Sequence, residues 1–218
     1  MLISVFLAGC NPGEKPPVPQ TAPVLPASPS PELDDRPIIL AFGDSLTAGY
    51  GVPHGSGYPE LLQRRLEDAG YRYRVVNAGI SGDTTSGGLG RLQPELDAKP
   101  AIVILELGGN DGLRGLPVEQ TRSNLEEMIV AFKGAGAHVI LAGMTLPLNY
   151  GVDYVRAFEE LFKDLARKHD VALIPFLLEG VAGQPGLVQP DGIHPTEKGY
   201  PIVMDVVWKY LEPLLKKS

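Results

Sequence analysis

The chain has almost no cysteine: Cys10 is the only one among 218 residues. A single thiol closes no internal disulfide, so the fold must rest on a packed core, and a chain of this length can bury one unaided. Positive charge is also scarce. Nineteen Lys and Arg stand against 26 Asp and Glu, a formal net charge of −7, with no basic cluster to meet a phosphate backbone. Nucleic acid is therefore excluded as an expected partner. There is no G-x-G-x-x-G, no Walker lysine loop and no H-E-x-x-H. The four histidines are dispersed, so no metal and no other cofactor is expected.

The N-terminal segment 1–9 is apolar, ends in small residues and is far too short to span a bilayer. Leu7-Ala8-Gly9-Cys10 resembles the bacterial lipobox, in which a signal peptide is removed and the cysteine becomes a lipidated first residue. It departs from that pattern in lacking a positively charged start and in its truncated apolar region; a start assigned too far downstream would account for both. The competing reading is an ordinary apolar N-terminus with a chance cysteine. The lipobox is preferred, which places the protein in the cell envelope, periplasmic or otherwise extracytoplasmic, and anchors it to a membrane only through Cys10.

Residues 11–36 carry prolines at 12, 16, 17, 19, 23, 26, 29 and 31 and few large apolar side chains. Such a stretch buries too little surface to fold and favours extended polyproline II. It is expected to be a tether, reaching ~80 Å if fully extended at ~3.1 Å per residue. The folded domain is expected over 37–218, with no internal repeat.

Within it, short apolar runs alternate with amphipathic segments. Strands are expected at 38–42, 74–78, 101–107, 138–142 and 171–174, and helices at 58–68, 88–97 (weak, with Pro94), 118–134, 152–168 and 197–215. Leu125, Met128, Ile129 and Phe132 give one buried helical face; Tyr154, Phe158, Leu161, Phe162 and Leu165 give another; Val203, Val206, Val207 and Tyr210 face inward on the last. Apolar strands alternating with helices imply an α/β fold with a parallel sheet covered on both faces.

Three polar segments fall just past the first three strands: Gly43-Asp44-Ser45-Leu46, Ile80-Ser81-Gly82-Asp83-Thr84 and Gly108-Gly109-Asn110-Asp111. In a doubly wound sheet the carboxyl ends of neighbouring strands lie together and ligands bind outside them, so the three can converge. A serine hydroxyl needs a base. His138 opens a strand and His169 sits in a last helical turn, where it complements the dipole; His54 lies in a Gly-rich loop with no group placed to orient it. His194 lies in Asp191-Gly192-Ile193-His194-Pro195. Asp191 can accept the Nδ1 hydrogen and leave Nε2 to take the Ser45 proton. The backbone N–H groups of Ser45 and Gly82 and the Asn110 amide can receive a developing oxyanion. Each segment alone has a plainer reading: Gly82 as a turn glycine, Asn110 as a local cap, Asp-x-x-His as a solvated loop.

Taken together and in order, these segments resemble the motif blocks of the SGNH (GDSL) hydrolases. The wording around 80–84, 105–115 and 149–151 is similar to the branch of bacterial acyl-CoA thioesterase I, lysophospholipases and arylesterases. The resemblance spans about 38–215. It implies a flavodoxin-like three-layer α/β/α sandwich with a five-stranded parallel sheet. It also implies the catalytic set Ser45, Asp191 and His194, with an oxyanion hole at Ser45, Gly82 and Asn110. The motif is distinct from the G-x-S-x-G elbow, since position 47 is Thr. The expected activity is hydrolysis of small to medium acyl esters or thioesters through an acyl-enzyme on Ser45, with 144–150 as a substrate wall. An O-acetyl esterase acting on envelope polysaccharide is the alternative enzyme, and a non-catalytic envelope lipoprotein the alternative of another class. Nothing calls for an oligomer, and a monomer is expected.

Overall fold

The computed structural model describes residues 34–217. The expectations for Cys10 and for most of the proline-rich stretch lie outside the described residues.

Five parallel strands form one sheet: β1 (Ile38–Gly43), β2 (Arg74–Gly79), β3 (Ile102–Glu106), β4 (His138–Ala142) and β5 (Ala172–Ile174), in the order β2-β1-β3-β4-β5. β3 lies at the centre and is buried throughout, as the apolar run 102–105 requires, whereas the edge strand β2 is only partly covered. The helices are α1 (Ser45–Ala48), α2 (Tyr58–Asp68), α3 (Thr85–Gly90), α4 (Leu92–Asp97), α5 (Gly109–Leu113), α6 (Val118–Gly134), α7 (Val152–His169) and α8 (Tyr200–Leu211). From β1 the chain steps outward to β2 and then crosses back to β3, β4 and β5. With right-handed crossovers, α2 must cover one face and α6 and α7 the other. The packing agrees: α2 lies against α8, and α6 against α7 and α3.

Four departures from the expected elements have local causes. The weak helix at 88–97 is two short helices broken at Arg91, with Pro94 in the first turn of α4, where its missing N–H is harmless. The terminal helix begins at Tyr200, not 197, with Pro201 in its first turn, and ends in a 3₁₀ turn at Glu212–Leu214. Tyr154 and Tyr210 are only partly buried; Val155, Trp208 and Leu211 occupy the inward positions. Tyr154 instead gives its hydroxyl to the Leu116 carbonyl at 2.7 Å. The single-turn helices α1 and α5, too short for any periodic pattern, were not anticipated.

The register sets up the site. Gly43 at the end of β1 pairs with Gly79 of β2 and with Glu106 of β3. Three strands therefore end level, and the segments that follow them open onto one surface. Among the described residues no helix is long and apolar enough to cross a membrane.

Candidate active site

Ser45 is the first residue of α1, directly after the Asp44 cap, whose side chain accepts the Leu46 N–H at 3.1 Å. Its Oγ lies 2.8 Å from His194 Nε2, across 149 residues of chain. His194 Nδ1 lies 2.7 Å from Asp191 Oδ2. Asp191 Oδ1 also accepts the N–H groups of Ile193 and His194, at 2.9 and 3.0 Å. Burial by itself would raise the Asp191 carboxyl; the Ile193 N–H, the His194 ring and the His194 N–H outweigh it and hold the group below the ordinary carboxylate range. An ionised Asp191 fixes the imidazole with its proton on Nδ1, leaving Nε2 free to accept from Ser45. The Tyr50 ring covers the imidazole at 4.7 Å between centroids. The Gln189 side-chain amide donates to the Tyr50 and Pro195 carbonyls, at 2.8 and 2.9 Å, and so ties the serine loop to the histidine loop.

Gly82 follows β2 with φ +83°, a left-handed conformation that favours glycine. Asn110 stands in α5, after β3. Ser45, Gly82, Asn110 and His194 line one cleft of about 350 Å³, together with Leu113 and Met144. Asn110 Nδ2 donates to Asp44 Oδ2 and to the Asp83 carbonyl, both at 2.9 Å. Both amide hydrogens are thus committed, so an oxyanion placed here would have to share or displace one of them. The Gly82–Asp83 loop is held from outside as well. Arg91 Nε meets Asp83 Oδ2 at 2.7 Å, Arg91 Nη2 donates to the Gly43 carbonyl at 2.9 Å, and Arg114 Nη2 donates to the Gly82 carbonyl at 2.8 Å. Beside the cleft, and sharing Gly109, Leu113, Met144 and Ile193 with it, lies a second cavity of about 540 Å³ with Leu146, Phe176 and Leu178 in its wall.

All five residues read as a site from the sequence come together. The other histidines do not join them. His54 is exposed and borders a separate cleft with Glu60 and Asn77; His138 is exposed at the start of β4; His169 pairs with Glu126 at 2.9 Å. Several residues that shape the site carried no assigned role: Asp44, Glu106, Arg91 and Gln189. One of them left a visible mark, since Glu106 is a carboxylate inside the apolar run 101–107. Among the described residues no group of three His, Cys, Asp or Glu side chains is placed to hold a metal ion.

A serine hydrogen-bonded to a carboxylate-oriented imidazole, at the strand ends of a three-layer α/β/α sheet, defines a serine hydrolase. The chain belongs to the GDSL-like lipase/acylhydrolase family, whose model matches residues 41–202. It is 49% identical over 178 residues to esterase TesA of Pseudomonas aeruginosa, covering 81% of this chain and 89% of that one. It is 42% identical over 178 residues to thioesterase 1/protease 1/lysophospholipase L1 of Escherichia coli K12, covering 81% and 84%. A crystal structure of the esterase EstA from Pseudoalteromonas, inhibited by monoethylphosphonate, superposes with a TM-score of 0.78 at 34% identity, covering 81% of this chain and 97% of that one. The protein is a serine ester hydrolase with the SGNH fold.

Proposed function

We propose that Ser45 is the nucleophile, His194 the general base and acid, and Asp191 its orienting carboxylate. The Ser45 and Gly82 N–H groups and the Asn110 amide are the oxyanion donors. The observation that carries this reading is the unbroken relay Asp191–His194–Ser45, at 2.7 and 2.8 Å. Ser45 Oγ bonds to the acyl carbon while its proton moves to His194 Nε2. The carbonyl oxygen gains charge beside Gly82 and takes the Asn110 hydrogen now given to the Asp83 carbonyl. His194 then protonates the departing alcohol or thiol. Water attacks the acyl-enzyme by the same route, returning the proton to Ser45.

The substrate we infer is a small to medium acyl ester or thioester. Its support is the apolar cavity continuous with the cleft, where Leu146, Phe176 and Leu178 suit an alkyl chain better than an acetylated sugar. Met144 to Tyr150, apart from the outward-pointing Leu148, form part of that wall. The relay is complete within one chain, which supports a monomeric enzyme. We further propose an envelope location, with Cys10 as lipid anchor and 11–36 as tether to a catalytic domain over 37–218. The lipobox-like Leu7-Ala8-Gly9-Cys10 supports this, and mass spectrometry of the mature N-terminus tests it; an unprocessed Met1 in the envelope fraction refutes it.

The test of function is a chain-length panel of aryl esters, thioesters and acetylated sugars, run on parent and Ser45→Ala. Hydrolysis of medium acyl chains, lost in the variant, is the expected result. Activity confined to acetylated sugars would favour the polysaccharide esterase. Equal rates in both proteins would refute the nucleophile.

A further inference from the structure

Glu106 ends β3, at the centre of the sheet, and its side chain is fully buried. Oε2 accepts the Asp44 N–H at 3.1 Å and the Thr47 hydroxyl at 2.8 Å. Oε1 meets no donor among the described residues. Asp44, whose N–H bonds Oε2, is the neighbouring acid, and it is itself only 3% exposed. Around Glu106 stand Asp44 from the β1–α1 turn, Tyr58 from α2, whose hydroxyl is 3.0 Å from Thr47 Oγ1, and Tyr200 from α8. Among the described residues no Lys, Arg or His donates to it. Gly43 makes the room: a Cβ there would fall 2.5 Å from Glu106 Oε2.

Two neighbouring buried acids with no cation between them do not both ionise readily, and a shared proton removes the repulsion. Asp44 is the better placed to stay ionised, because its oxygens accept from Leu46 N and Asn110 Nδ2. We propose that Glu106 carries a proton at neutral pH and donates it to Asp44, so that a neutral acid behind one buried carboxylate holds the Asn110 amide in place. Glu106 is a positioning residue, acting through Asp44, and this inference rests on the role given to Asn110 above. The electrostatics point the same way: burial pushes Asp44 up to about 6, and burial followed by the Asp44 charge pushes Glu106 well above its ordinary range.

Glu106→Gln is the decisive variant. Its amide keeps one oxygen for the Asp44 N–H and the Thr47 hydroxyl, and offers an N–H to Asp44 where the acid offered O–H. Turnover of an aryl ester is expected within about twofold of the parent, since no donor is lost. The stability of the two proteins must diverge with pH. The folded parent keeps a proton that the unfolded chain releases above 4.5. The parent's unfolding constant therefore rises, relative to Glu106→Gln, by up to about tenfold per pH unit through the neutral range. Infrared spectra of the parent at pH 7 should contain a buried protonated-carboxyl band that Glu106→Gln lacks. Glu106→Leu leaves the Asp44 N–H without its acceptor and the Thr47 hydroxyl with Tyr58 alone; where it folds, kcat should fall about 10- to 100-fold, short of the ~10²–10³ for full loss of an oxyanion donor, with KM kept. Parallel stability profiles, an unchanged infrared band, or a Gln variant as impaired as the Leu variant would each overturn the proposal. Labelling of Ser45 by an activated phosphonate is a separate readout: its failure in the parent would sink the nucleophile and leave the proton undisturbed.

Discussion

Arg91 offers the sharpest test of how the oxyanion loop is held. Its guanidinium binds Asp83 Oδ2 and the Gly43 carbonyl and lies 4.0 Å over the Phe42 ring. The side chains of the ion pair are 18% and 13% exposed, so solvent screens it little. Arg91→Leu strands the Asp83 carboxylate and removes the stacked cation. A hydrogen bond to a charged group contributes about 1.5–3 kcal/mol and a cation over a ring about 0.5–1 kcal/mol. We therefore expect a loss near 3 kcal/mol, a melting shift of about 6–12 °C for a domain of this size. The Gly82–Asp83 backbone should loosen with it. Because Arg114 still holds the Gly82 carbonyl, kcat should fall about 10- to 100-fold, below the ~10²–10³ for full loss of one donor, with KM little changed. Arg91→Lys keeps the charge but loses the planar fork, so it should fall between leucine and parent. Thermal melts and ester kinetics on the three proteins decide the matter. If Arg91→Leu melts and turns over like the parent, the loop is held by something else.

Ser45→Ala should abolish phosphonate labelling and lower kcat by several orders of magnitude, read by single-turnover ester hydrolysis. Asp191→Asn should lower kcat about 10⁴-fold by presenting the wrong partner to Nδ1. Because the Asp191 carboxyl is held low in the fold, its share of stability is present above its ordinary value of 3.8 and vanishes as pH falls through the folded value. Denaturant melts of parent and Asp191→Asn should accordingly converge in acid. Asp44 has the opposite sign: raised to about 6, it favours the fold more as pH drops from about 6 toward 3.8, and carboxyl NMR should find it titrating near 6. Gln189→Ala should cut kcat about tenfold with a smaller effect on melting temperature, since it removes the bonds to Tyr50 and Pro195 at a partly exposed site; unchanged kinetics would show that the loops align without it.

The sheet was legible because continuous apolar runs such as 102–105 and 139–142 leave no other use for so much buried surface. α6 was legible to the residue, its apolar stripe closing at Gly134. Three of the candidate site segments were legible because each interrupts the pattern just after a strand, and the fourth because Asp191 and His194 stand three residues apart before the last helix. What escaped was either too short for periodicity, as with α1 and α5, or defined by distant partners. Arg91 reads as a surface charge until Asp83 and Gly43 are beside it. Glu106 was visible as a misfit in an apolar strand, but its significance depends on Asp44, Thr47 and Gly43 meeting it from other segments.

Asp191 and His194 sit three residues apart, joined by the ring contact and the His194 N–H, and the Ile193 N–H bonds the same carboxylate within a single turn. The proposed base and its orienting carboxylate therefore share one local turn, whose internal hydrogen bonds are short-range in sequence. The 2.8 Å approach to Ser45, the Tyr50 ring over the imidazole and the Gln189 tie to Tyr50 are what tertiary structure adds. A relative shift of the two loops would separate the imidazole from Ser45 before it disturbed the Asp191 contact that fixes the tautomer. On the roles proposed above, such a shift would interrupt turnover without changing which nitrogen carries the proton, and the return of the loops would restore it.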